Sequence, residues 1–198
     1  MIKYGVIGSG WIAEEFVKGA QTVEGMFFAA MYSRTYEKGK EFAEKFGCDR
    51  IYTDINEFAE SDIDAVYIAS PNLFHYEQSK LMLENGKHVL CEKPMAKTYA
   101  EAKAMYEASV RTGKVLSIGY QSRWRGDSLY LKECCENDEF GEIYYARALA
   151  LRRRAVPTWG VFLNEYEQGG GPLIDIGTHS LDITLWQMNN YKPAYCVG

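Results

Sequence analysis

The sequence predicts an α/β chain: a doubly wound parallel sheet, followed by a second α/β segment of different pattern. Three observations carry that expectation. Short apolar runs alternate with amphipathic helical stretches from residue 4 to residue 119, a glycine-rich turn follows the first run, and the rhythm changes at Tyr120.

Tyr4 to Ile7 reads as the first strand and runs into Gly8-Ser9-Gly10-Trp11-Ile12-Ala13, with a helix to about Ala20. A Gly-x-Gly-x-x-Ala turn between strand and helix lets backbone N–H groups and a helix amino terminus receive a pyrophosphate. Alone, the same glycines also suit a tight structural turn. A second strand, Phe27 to Tyr32, comes at βαβ distance and favours the dinucleotide reading. It ends in Ser33-Arg34-Thr35, where an acid would bond the adenosine ribose of NAD. Arg34 between two hydroxyls suits a 2′-phosphate, so NADP is favoured over NAD. Glu37 nearby opposes this, and Arg34 also suits the start of a helix from Tyr36 to Phe46.

A short strand at Ile51-Tyr52, a helix from Ile55 to Ala59 and a strand from Ala65 to Ala69 continue the alternation. Ser70-Pro71-Asn72-Leu73-Phe74-His75 leaves that strand, and a helix from Tyr76 to Glu84 leads to the apolar run Val89 to Cys91. This run ends in Glu92-Lys93-Pro94. Proline cannot extend a central strand, so Pro94 ends it and holds the Lys93 amine at the carboxyl edge of the sheet. The same edge should carry Gly8, Ser70, Asn72 and His75, because ligands bind there in a doubly wound sheet. A helix from Tyr99 to Thr112 and a strand from Val115 to Gly119 complete six strands, with right-handed crossovers expected.

From residue 121 a second domain is expected to 198, after a first domain of 1–120. It begins with Gln121-Ser122-Arg123-Trp124-Arg125 and a helix from Leu129 to Glu136. Glu142 to Leu151 alternates Tyr144, Ala146, Ala148 and Ala150 with Tyr145, Arg147, Leu149 and Leu151, which predicts a strand with two faces. Arg152-Arg153-Arg154 then offers either a solvated strand end or a clamp for an acidic or polyhydroxylated ligand. Asp175, His179, Asp182 and Trp186 share one face of a helix by spacing. A favourable acid at the helix amino terminus with a satisfied histidine is the plainer account of the first pair. The chain stops within Ala194 to Gly198, at what reads as another strand, so a truncated product or strands supplied by another chain is expected.

Composition narrows the partners. The 198 residues are 47% hydrophobic and 25% charged, as in an ordinary globular protein. Lys and Arg number 14 against 17 Asp and Glu before residue 121, and 8 against 10 after it. Neither half is basic, which excludes nucleic acid as an expected partner. No apolar run approaches the roughly 18 residues of a membrane span, and Met1 to Ile7 shows no leader, so a cytoplasmic protein is expected. Five cysteines without Cys-x-x-Cys spacing read as reduced thiols, with neither a zinc site nor a disulfide framework. No metal is indicated.

Taken together, the glycine turn, Ser70-Pro71-Asn72 with His75, Glu92-Lys93-Pro94 and Gly170-Gly171-Pro172 through Asp175 and His179 to Asp182 resemble the Gfo/Idh/MocA family of NAD(P)-dependent oxidoreductases. Glu-Lys-Pro followed about eighty residues later by Gly-Gly-x-x-x-Asp-x-x-x-His is far more specific than the glycines. The resemblance implies a Rossmann domain, then an α/β domain with an open, mainly antiparallel sheet used for dimer or tetramer contacts in the full-length protein. It also implies a sugar, polyol or related secondary alcohol as substrate. Members continue well beyond residue 198. By motif, Lys93, Asp175 and His179 would be catalytic. Gly8, Gly10, Asn72, Glu92 and Lys93 would line the cofactor, and the strand-end readings above add Ser9, Trp11, Ile12, Ser33, Arg34, Ser70 and His75 around NADP or NAD. Asp175 and His179 would also touch substrate, and Arg123 and Trp159, which the motif does not include, are further candidates for that contact.

Hydride transfer from an alcohol carbon needs a base for the hydroxyl proton. An unperturbed lysine, pKa about 10.4, is neutral in roughly one molecule in a thousand near pH 7.4. Histidine titrates in the right range, so His179 is the expected base and Lys93 the group that holds the reacting oxygen. Two other readings stay open: a glycoside hydrolase of the same family that uses transient oxidation, and a nucleotide-binding protein without catalysis.

Overall fold

The computed structural model describes residues 1–154, 156–158 and 160–197, which fall into two compact units divided after Gly119. In the first unit the strands are β1 (Ile2–Ile7), β2 (Met26–Tyr32), β3 (Ile51–Tyr52), β4 (Ala65–Ile68), β5 (His88–Cys91) and β6 (Leu116–Ile118). Between them lie α1 (Trp11–Ala20), α2 (Tyr36–Phe46), α3 (Ile55–Glu60), α4 (His75–Glu84) and α5 (Tyr99–Thr112). The sheet order is β3-β2-β1-β4-β5-β6, with every pairing parallel. This is a Rossmann sheet. The chain reverses its direction of strand addition between β1 and β4, and a crevice opens there beyond the strand ends.

Alternation along the strands divides the interior into two cores. Tyr4, Val6, Phe28, Met31 and Tyr67 face α1 and α2, where Ala13, Val17, Phe42 and Phe46 close the layer. Ile7, Val66, Ile68, Val89 and Cys91 face α3, α4 and α5, where Phe58, Met82, Leu83 and Met105 do the same. Each large side chain buried this way contributes roughly 1.5–3 kcal/mol. Gly5 is required beneath Phe58, because a Cβ there would stand 2.6 Å from the ring.

One strand breaks the alternation. Tyr4 pairs with Phe28 but Gly5 pairs with Ala30, so Ala29 is an extra residue and both alanines enter one core. A bulge of this kind needs small residues where two consecutive side chains point inward. Helix ends follow their residues: Asp54 accepts from the Asn56 and Glu57 amides, and Thr98 with Glu101 forms a capping box.

The second unit holds α6 (Gly126–Glu136), α7 (Glu165–Gln168) and α8 (Thr178–Met188), the last preceded by a π-helical turn, Leu173–Gly177. The strand expected over Glu142 to Leu151 is not formed. Those residues are irregular and, Ile143 apart, exposed, and Ala194 to Val197 is likewise exposed and irregular. Alternating side chains make a strand available, but its backbone groups need a neighbouring strand to pair with, and the described residues of this unit supply none. All five cysteines are free thiols. Among the described residues no helix is long and apolar enough to cross a membrane.

Candidate functional site

In the first unit the crevice starts at the glycine turn. Gly8 has φ +101°, and a Cβ on it would lie 2.5 Å from the Ala69 carbonyl oxygen, so glycine is dictated by both backbone and space. Gly10 differs. Its backbone is extended, nothing lies within 4 Å of where its Cβ would be, and it caps α1 with no side-chain hydrogen bond. The ten-residue α1 therefore offers its first N–H groups and the positive end of its dipole to an open space. That arrangement fits a pyrophosphate. Ser9 and Ile12 are half-buried and Trp11 is exposed on the same turn.

Two further chain segments reach this edge, one after β4 and one after β5. Ser70 donates through its hydroxyl to Gln78 Oε1 at 2.6 Å, and Asn72 is buried in a 3₁₀ turn, Asn72–Phe74. Glu92 turns back toward the sheet. Its Oε1 accepts from the Tyr67 hydroxyl at 2.6 Å and its Oε2 from the Lys93 amide at 3.3 Å. Burial raises the Glu92 carboxyl above its ordinary range, the two donors pulling it back in part, and burial beside Glu92 raises the Tyr67 phenol as well. A Cβ on residue 119 would sit 2.8 Å from Oε1, so Gly119 leaves room for this carboxylate. Lys93 is half-buried directly after it, and the Lys93-Pro94 peptide is cis.

His75 stands apart from the expectation that it lines a cofactor. It is 0% exposed, with Nδ1 2.7 Å from the Pro94 carbonyl oxygen and Nε2 2.9 Å from that of Ser70. A ring enclosed in this way has no face left for a ligand. At the far side of the crevice Ser33 is buried against α2, while Arg34 is exposed with its guanidinium 5.6 Å from the Phe74 ring centre. Tyr67, Phe74 and Gly119 were not legible as site residues. Each acts through a partner distant in sequence, and no local pattern marks them.

In the second unit a cavity of about 520 Å³ is lined by Arg152, Arg153, Arg154, Phe162, Gln168 and Asp175, among others. The arginine run therefore lines the same space as Asp175. Asp175 sits in the π-helical turn Leu173–Gly177, directly before the helix that carries His179 and Asp182. Asp182 is taken up by Arg123: Nε donates to Oδ2 at 2.8 Å and Nη2 to Oδ1. The guanidinium also lies 5.9 Å from the Tyr120 ring centre and 5.6 Å from that of Trp186. Arg123, expected at substrate, is thus committed to a bidentate ion pair between two rings. His179 meets the opposite neighbour of this cluster, its ring edge-on to Tyr120 at 6.0 Å. Trp159, the remaining expected substrate contact, lies outside the described residues.

Comparison with known proteins bears on both units. The family model described as oxidoreductase family, NAD-binding Rossmann fold, matches residues 2–120. The GFO/IDH/MocA C-terminal domain matches residues 128–198. D-glucoside 3-dehydrogenase of Escherichia coli (strain K12) is 38% identical over 187 residues, covering 93% of this chain and 53% of its own. scyllo-Inositol 2-dehydrogenase (NADP(+)) IolU of Bacillus subtilis (strain 168) is 35% identical, covering 91% and 56%. The chain spans about half the length of the curated relatives it matches. An aldose-aldose oxidoreductase from Caulobacter crescentus, complexed with glycerol, superposes with TM-score 0.80 at 28% identity over 95% of this chain and 58% of its own. An oxidoreductase domain protein from Kribbella flavida does so with TM-score 0.82 at 26% identity, over 95% and 52%. Matches to both halves of one architecture lead to a single conclusion: this chain belongs to the Gfo/Idh/MocA family of NAD(P)-dependent oxidoreductases.

Proposed function

We propose that this chain carries the cofactor domain and part of the substrate domain of an NAD(P)-dependent dehydrogenase acting on a secondary alcohol of a sugar or polyol. The observation that carries the reading is the open amino terminus of α1 at Gly10, on the same sheet edge as the segments bearing Asn72 and Lys93. Relatives named as glucoside, inositol and anhydrofructose enzymes support the substrate class.

The nicotinamide, when bound, supplies the hydride acceptor. The chain's own residues do the rest. Gly8 and Gly10 let the backbone approach the pyrophosphate, and Arg34 meets a 2′-phosphate, which favours NADP. His179 takes the hydroxyl proton, and Asp175 orders substrate hydroxyls together with the arginines that share its cavity. Lys93 donates to the reacting oxygen and stabilises the charge that develops on it. Homo-oligomer formation through the second domain of the full-length protein belongs to the same reading.

Titration with NADH and NADPH, followed by turnover with sugars and polyols in a full-length protein, tests it. His179→Ala and Lys93→Ala should each lower kcat by about 10²–10⁴-fold while the cofactor Kd stays within about threefold. Parent-level turnover in both variants would remove the assignment.

A further inference from the structure

We propose that His75 is a positioning residue: its ring is the strut that sets the spacing between the segment after β4, which bears Asn72, and the segment after β5, which bears Lys93. The backbone ladder between those strands ends where the Glu92 amide donates to the Ile68 carbonyl. Past that point the two segments leave the sheet. The His75 ring then spans them, with Ser70 carbonyl oxygen at one nitrogen and Pro94 carbonyl oxygen at the other. An imidazole is planar and rigid, so the separation of the two carbonyls follows from the ring. The ring itself is fully buried, which shields the Pro94 contact from water, while the Ser70 contact is part-buried.

Both oxygens are acceptors, and the ring serves both only with a proton on each nitrogen. Burial, the largest influence, and the Lys93 ammonium together hold the ring's pKa below the usual histidine range against the pull of the two carbonyls, so the doubly protonated ring is the form that lower pH favours. His75 touches neither of the spaces where a ligand would sit, so its effect on chemistry passes through Lys93 and Asn72. That these two residues matter for turnover rests on the dehydrogenase reading; the strut itself does not.

The two bonds can be cut one at a time. His75→Asn retains a donor near the position of Nδ1 and so keeps the Pro94 link. His75→Gln retains one near Nε2 and keeps the Ser70 link. In the 198-residue chain, His75→Gln is expected to move the backbone amide resonances of Lys93, Met95 and Ala96, and His75→Asn those of Ser70, Asn72 and Leu73. In a full-length enzyme with turnover, His75→Gln should lower kcat on the order of 10²-fold with little change in cofactor KM. His75→Asn should chiefly raise cofactor KM, by about fivefold to tenfold. In the unaltered chain the His75 ring N–H should exchange slowly with water, a measurement that stands even if the variants unfold. Equal perturbation of both segments by both variants overturns the proposal, as does a ring proton that exchanges like that of an exposed imidazole. A chain that shows the split yet binds no NADH counts against the dehydrogenase reading alone.

Discussion

The Tyr67 hydroxyl donates a 2.6 Å hydrogen bond to Glu92 Oε1, tying the middle of β4 to the residue just beyond β5. Glu92 is held in its protonated form to higher pH than in the unfolded chain, chiefly because burial disfavours the charge. Below the usual carboxylate range both states carry the proton and no charge is buried. As pH rises from about 4, the unfolded chain loses its proton first, and stability falls until the pH has passed the raised folded pKa. Glu92→Gln should remove this slope. Its melting temperature should gain on the parent as pH increases across that window, measured by circular dichroism.

The two glycines of the first turn should respond differently to one added methyl. Gly8→Ala forces a left-handed backbone and a carbonyl clash at 2.5 Å, which should cost at least about 1–3 kcal/mol of stability. Gly10→Ala meets open space at an extended φ of −80°, and should cost less than about 1 kcal/mol. Its effect belongs on cofactor affinity instead. Urea unfolding and NADH titration on both variants check the contrast.

Arg34 presents an exposed guanidinium held near Phe74. Arg34→Ala should weaken NADPH binding by about tenfold to a hundredfold and leave NADH within about twofold, since only the former carries a 2′-phosphate. Equal loss for both cofactors would assign Arg34 to the structure of the β2–α2 turn rather than to selection.

Arg123 and Asp182 form a bidentate pair in which the Asp182 side chain is only 10% exposed. Removing one partner strands the other. Asp182→Asn or Arg123→Met should each cost about 3–5 kcal/mol, and Arg123→Met combined with Asp182→Leu should recover a large part of that loss. Denaturant unfolding of the three variants gives the coupling directly.

The Rossmann sheet was written locally in the chain: six apolar runs, caps such as Asp54 and Thr98, and left-handed turns at Gly47 and Gly113 each act within a few residues. So was the position of Gly8, Gly10 and Lys93 on one sheet edge, because a parallel βα alternation puts every strand's carboxyl end on the same side. Tertiary structure decided what side chains do once there. His75, Glu92 and Arg123 read as ligand contacts by position, yet each is engaged by a distant partner: Pro94 and Ser70, Tyr67, and Asp182. The stretch 142–151 has a strand's alternation without a strand's neighbour. Periodicity reports which face a residue can present, a property of the local backbone. Hydrogen-bond partnership is settled only when segments far apart in sequence pack together and water is excluded.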